Sequence, residues 1–314
     1  MIVAEVVRNG LVESRHHGNV VAIEGATGRY AVQVGDIAAP MFPRSCAKPL
    51  QAVGMLRAGW SPTDDEQLAV ACASHSGEPA HVAVVRRILA EAGRAEEDLD
   101  NTPDLPLDAT AARDLLRSGG GPDRLHQNCS GKHAAMLGTC TAAGWAIADY
   151  RDPDHPLQRA IRATIEDLAN ENVAAVAIDG CGAPLLAVTL TGLAVAFGRL
   201  VCAEPGTPER RVADAMRAHP FLVGGTGRDV TALMTAVDGL LAKDGAEGVY
   251  AAATHDGDAV ALKVEDGAGR ARSPVMVAAL RRLGVDAAAL DALAATPVLG
   301  HGVAVGEVRA MALR

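Results

Sequence analysis

The chain has almost no rings with which to build a core: of its 314 residues only 3% are Phe, Trp or Tyr, although 49% are hydrophobic. The interior must therefore be filled by Ala, Val and Leu. A chain of this length can bury a sizeable core, as one large domain or as a domain with an inserted subdomain. Positive charge is also short. A net charge of -9 and a pI near 5.6 leave no basic stripe of the kind that neutralises phosphates, which argues against a nucleic-acid partner. Long apolar runs are missing: the longest, Leu185 to Phe197, contains two threonines and a glycine and is too short to span a bilayer. The opening MIVAEVVRNG carries Glu5 and Arg8 where a secretory signal needs an unbroken apolar stretch. These absences predict a cytoplasmic protein without membrane contact. There the six cysteines (46, 72, 129, 140, 181 and 202) are reduced core residues or metal ligands rather than disulfides.

Lysine is the most informative shortage. Of 29 Lys+Arg residues only four are lysines, namely Lys48, Lys132, Lys243 and Lys263, and the chain has only eight serines. Arginine cannot act as a neutral amine, because its pKa stays above about 12. Lysines kept in so arginine-rich a chain point to a site that needs a deprotonatable amine, unless they are merely exposed survivors. Their neighbours decide between the two.

Residues 2–8 and 20–23 are rich in Val and Ile and read as strands, with Asn9-Gly10 as a hairpin turn whose polar second arm extends to Gly18. A first helix opens near Ser45 and runs to Arg57, with Gly59 at its C-cap and Trp60 folding back. A second of the same design runs from Ser130 to Gly144 and Trp145. Further helices are expected at 80–92, 155–170, 208–218, 229–242 and 274–283. The apolar runs 68–73, 173–178 and 185–197 fit either buried strands or buried helices. Val249–Val264, with a turn at His255-Asp-Gly-Asp258, reads as an antiparallel hairpin followed by a helix. The expectation is an α/β (α+β) fold: one domain over 1–314, an antiparallel sheet built from both termini and flanked by helices, with a helix-rich region inserted at roughly 60–180.

Four constellations can carry chemistry. In Arg44-Ser45-Cys46-Ala47-Lys48, residues three apart share a helix face, so the Lys48 amine can reach the Ser45 hydroxyl and act as its base; otherwise Ser45 only starts a helix. Arg44 and Lys243 would lower the Lys48 pKa if they lie close. Cys72-Ala-Ser74-His75-Ser76-Gly77-Glu78 places polar side chains directly after a buried run, as a site wall or as a helix start capped by Ser76. Lys243-Asp244-Gly245, before the hairpin, is similar to the Lys-x-Gly of Ser-x-x-Lys hydrolases, or is an ordinary turn. His126-Gln-Asn-Cys129-Ser-Gly-Lys132-His133, taken with Asp179-Gly-Cys181-Gly, offers two thiols for a soft metal such as zinc, or simply two buried cysteines.

In order, RSCAKPLQ, ACASHSGEP, HQNCSGKHAAML, DGCGAP and KDGAEGV resemble the bacterial L-asparaginase family of the inducible Rhizobium type, over residues 44 to 249. The resemblance implies a fold similar to serine β-lactamases and Ser-dependent glutaminases, and hydrolysis of L-asparagine to L-aspartate and ammonia. It implies two Ser–Lys pairs, Ser45 with Lys48 and Ser74 with Lys243. It also implies zinc held by Cys129, Lys132 and Cys181, with substrate contacts from Arg44, His75 and Asp179, and a homodimer. Within enzymes the alternatives are a glutaminase or a penicillin-interacting hydrolase. Outside them, the alternative is a zinc-stabilised binding protein.

Overall fold

The computed structural model describes residues 1–313. In chain order its strands are β1 (Ile2–Arg8), β2 (Leu11–Ile23), β3 (Tyr30–Val34), β4 (Pro40–Met41), β5 (Ala175–Ile178) and β6 (Pro184–Thr189). They continue with β7 (Leu241–Asp244), β8 (Val249–Ala253), β9 (Ala259–Val264), β10 (Ala295–Gly300) and β11 (Val303–Ala310). The first helices are α1 (Lys48–Arg57), α2 (Asp65–Ala71), α3 (Pro79–Glu91), α4 (Ala109–Arg117), α5 (Ser130–Ala143) and α6 (Pro156–Ala169). After them come α7 (Leu190–Cys202), α8 (Pro208–Ala218), α9 (Pro220–Val223), α10 (Asp229–Ala236) and α11 (Arg272–Arg282). Among the described residues no helix is long and apolar enough to cross a membrane.

Two compact units emerge. The first comprises Met1–Cys46, Ala187–Cys202 and the chain from Ala232 onward. Its sheet runs in the order β10-β11-β1-β2-β9-β8-β7, with β3 also paired to β2. Its pairings are antiparallel, and both ends of the chain contribute, as expected. The hairpin between β1 and β2 turns at Asn9 (φ 46°) and Gly10 (φ 83°); two successive positive φ values are what a tight turn matched to strand twist requires. Val20–Ala22 and all of β8 are buried without alternation, which requires cover on both faces. Helices α7 and α11 pack on β2, β8 and β9 and supply it.

The second unit comprises Ala47–Leu186 and Ala203–Thr231. At its centre α5 is buried at every position from Ser130 to Cys140 and packs against α1, α2, α3 and α6. A helix with no solvent face is a core helix. It nevertheless carries Ser130, Lys132 and His133, and the equally buried α1 carries Lys48. Buried cations cost stability unless paired, so these positions mark the place to look for chemistry.

Local signals in the sequence account for many boundaries. Pro79, Pro156 and Pro208 each occupy a helical first turn, where the missing N–H is not needed. Helix α5 ends at Gly144, and Trp145 N–H bonds back to Cys140 O at 2.8 Å. The helix expected over 229–242 stops instead at Ala236, and β7 follows: Gly239 takes a φ of 69° that ends helical continuation.

Candidate active site

The segment Ala73–Gly77, between α2 and α3, is buried although it is irregular. Buried loops must have their backbone polar groups satisfied. Here side chains and neighbouring backbone do it. Ala73 O accepts the Lys48 amine at 2.6 Å, and Ser74 O accepts Arg228 Nη1 at 3.0 Å. Ser74 N–H bonds to Val223 O, and Ser76 O accepts from Asp108 N–H. The segment is thereby fixed with the Ser74 hydroxyl 3.1 Å from Lys48 Nζ. Lys48 is 1% exposed and Ser74 6%. The neighbouring Ser76 hydroxyl donates instead to Gly224 O at 2.9 Å. Of the two serines in this stretch, Ser74 is therefore the one that meets the lysine.

Both ring nitrogens of His75 are engaged. Nδ1 accepts the Gly77 N–H at 3.1 Å, which leaves Nε2 to donate to Ser130 Oγ at 2.9 Å. The imidazole is thus neutral, and burial drives its pKa well below the ordinary value, with His81 and Lys48 adding repulsion. His81 stacks on it at 5.2 Å and is lowered by burial as well. Unfolding returns both rings to a pKa near 6.5. Below that pH the unfolded chain takes up protons that the folded chain refuses, so stability falls as pH falls through about 6.5. Each ring is expected to remove up to about 1.4 kcal/mol per pH unit there. Urea midpoints measured between pH 7 and 5 should show a slope that His75→Gln with His81→Gln flattens.

The second cluster surrounds the first turn of α5. Cys129, Lys132 and Cys181 are 4%, 1% and 2% exposed, and Lys132 Nζ lies 3.1 Å from Cys181 Sγ. A hydrogen bond from Cys129 lowers the Cys181 thiol to about 4, aided by the Lys132 charge, and the same bond pushes Cys129 up to about 12. Burial works against the charged Lys132, yet the two sulfurs raise its amine above the ordinary range. Among the described residues no group of three His, Cys, Asp or Glu side chains is placed to hold a metal; here the third donor is an amine. Two thiols and an amine converging in a buried place fit zinc, provided that Cys129 and Lys132 give up their protons. Asp179 stands beside them, with Oδ2 4.0 Å from Cys181 Sγ. The Lys48 charge acts on both Cys129 and His133, so the two clusters are neighbours. A cleft of about 860 Å3, lined in part by Gly77, Glu78, Asp108, His126 and Thr226, adjoins the Ser74 segment.

The remaining expected residues lie in the first unit. Ser45 is half-buried in a single turn of 3-10 helix, Arg44–Ala47, rather than in the body of α1. Its neighbour Cys46 donates from Sγ to Lys243 O at 3.0 Å, and burial pushes that thiol up to about 12. Lys243, on edge strand β7, is fully buried and donates to Asp244 O at 2.8 Å and Asp244 Oδ1 at 2.6 Å. Arg44 Nη1 lies 3.8 Å from Glu247. Sequence spacing did not suggest the contact between Lys48 and Ser74, 26 residues apart. Nor did it single out Ser130 and Arg228; only the position of Ser130 beside Cys129 hinted at the former.

A family model described as L-asparaginase II matches residues 4–310. Such a match makes the protein a hydrolase in class. The chain belongs to the L-asparaginase II family. Among solved structures it is similar to the crystal structure of a β-lactamase from Mycobacterium bovis, at 17% identity and a TM-score of 0.40, over 88% of this chain and 93% of that one. Comparison with curated proteins gave no match.

Proposed function

We propose that the protein hydrolyses the side-chain amide of L-asparagine to L-aspartate and ammonia through a lysine-activated serine. The observation that carries this reading is the buried Lys48–Ser74 contact, 3.1 Å from amine to hydroxyl, in a chain of the L-asparaginase II family. Attack on an amide requires a proton to leave the serine and another to reach the departing nitrogen. A lysine amine does both in turn if it is neutral at the start. Lys48 is the base in this reading, and the Ser74 hydroxyl relays its proton. The Ser-x-x-Lys spacing keeps Ser45 as the proposed acyl acceptor, and mapping a trapped acyl adduct onto the Ser45 or the Ser74 peptide tests that assignment.

Cys129, Lys132 and Cys181 would hold zinc, which supplies a Lewis-acid anchor for the substrate's amino or carboxylate end. Within the protein, Asp179 sits at that cluster and His75 fixes Ser130 beside it. Anchoring one end of the substrate fixes how far its amide lies from the serine. Glutamine, one methylene longer, displaces the reacting carbon by about 1.3 Å, and misplacement of about 1 Å can cost about a hundredfold in rate. Asparagine is expected to exceed glutamine by at least about a hundredfold in kcat/KM, mostly in kcat, measured as ammonia release from each. Equal turnover of both amides would move the assignment to glutaminase, and release from neither would leave a binding protein.

A further inference from the structure

Three consecutive residues outside both clusters touch every segment that carries Cys129, Lys132 and Cys181. Asn101 is 1% exposed; its Nδ2 donates to Arg124 O at 2.7 Å and to Gln127 Oε1 at 3.0 Å. That same Gln127 oxygen accepts the backbone N–H of Cys129 at 2.9 Å. Asp100 N–H donates to the Tyr150 hydroxyl at 3.0 Å, and Tyr150 in turn is 2.7 Å from Nδ1 of His133, the residue after Lys132. Thr102 Oγ1 donates to Gly180 O at 2.9 Å, immediately before Cys181.

The carbonyl on the other side of Cys181 is held as well. Arg151 Nη1 donates to Gly182 O at 3.3 Å, while Arg151 Nε is anchored on Asp100 Oδ2 at 2.6 Å. The approach is close: a Cβ built on Gly182, whose φ is 87°, would lie 2.3 Å from Arg151 Nη1. That backbone favours glycine, and any side chain there would have to displace the Arg151 guanidinium. The turn between β5 and β6 therefore presents Cys181 with the carbonyls of both neighbouring glycines held, one by Thr102 and one by Arg151, which is itself anchored on Asp100.

We propose that Asp100-Asn101-Thr102, completed by Arg151, is a brace of positioning residues that sets Cys129, Lys132 and Cys181 against one another. The proposal rests on reading those three as a zinc-holding set, because outer partners that orient ligands govern how tightly a metal is held. None of the four brace residues touches the reacting atoms.

The test is zinc affinity, read by competition with a chromophoric chelator in the full-length protein. Thr102→Val keeps the shape of an exposed residue and removes one hydrogen bond; Arg151→Met removes the other grip. Each is expected to weaken zinc binding by about 10- to 100-fold with an unchanged urea midpoint, and Thr102→Ser is expected to restore it. Wild-type affinity in both Thr102→Val and Arg151→Met overturns the brace. If the wild-type protein itself takes up no zinc, the zinc reading fails separately. The brace is then judged on metal-free protein by the rate at which diamide joins Cys129 to Cys181, followed by peptide mass. Slower joining in both variants supports the brace, and equal rates overturn it.

Discussion

Replacing Lys48 by arginine is expected to lower kcat for asparagine by about a hundred- to ten-thousandfold while the protein remains folded. Arginine keeps the positive charge next to Ala73 O and the Ser74 hydroxyl, so any purely electrostatic or structural role survives in part. What it cannot do is accept a proton. Lys48→Met is the complementary variant: it removes the charge and leaves Ala73 O without its donor, a loss that costs about 1–3 kcal/mol of stability. A base role requires both variants to be inactive, and KM to move less than kcat. Near-normal turnover in Lys48→Arg would show that Lys48 serves as a cation, and the proton would then have to leave through another group.

Much of the scaffold beneath this chemistry was legible in the sequence, because turn and cap residues declare themselves locally. Asn9-Gly10 and the Gly144-Trp145 stop both fall where their backbone preferences placed them. The apolar runs were harder. Residues 185–197 proved to be the end of strand β6 and the start of helix α7, with no glycine or proline between them. Thr189 marks the change, since its hydroxyl accepts the Gly192 N–H at 2.9 Å as a helix cap does. Residues 68–71 are the end of α2, and Cys72 and Ala73 lead out of it; its start is declared by Asp64 accepting from Gln67 N–H. Strand β10 was concealed by Pro297, which a central strand would exclude but an edge strand allows, and β10 lies at the edge.

The site divides along the same line. Cys129 stands at the N-cap of α5 and Lys132 in its first turn, three residues on, so local spacing alone keeps those two near each other. Contacts between distant segments carry no such signal. The Lys48–Ser74 bond and the approach of Cys181 to Lys132 depend on how α1, α5 and two turns pack, and packing leaves no periodic trace in a sequence. The scarcity of lysine was the more useful clue: Lys48, Lys132 and Lys243 are each 1% exposed or less, whereas Lys263 lies partly exposed on β9.

Asp244→Leu is expected to destabilise the first unit by about 3–5 kcal/mol, the usual penalty for breaking a buried ion pair from one side. Asp244 is 4% exposed and Lys243 is fully buried, with the amine 2.6 Å from Oδ1. Arg272 approaches the other carboxylate oxygen at 3.6 Å, so one buried carboxylate faces two cations. Removing it takes the Asp244 charge from between the Lys243 ammonium and the Arg272 guanidinium in a poorly hydrated place. Lys243→Met should cost less, because Asp244 retains Arg272 as a counter-ion and a buried charge disappears with the lysine. Asp244→Asn should fall between the two, keeping an oxygen for the amine but no charge. The order of the three variants carries the argument more firmly than any one value. It is read from urea unfolding at pH 7, with m-values compared to confirm that the same surface is exposed on unfolding. If Asp244→Leu lost less than about 1 kcal/mol, the Asp244 carboxylate would not be what holds the Lys243 charge in place.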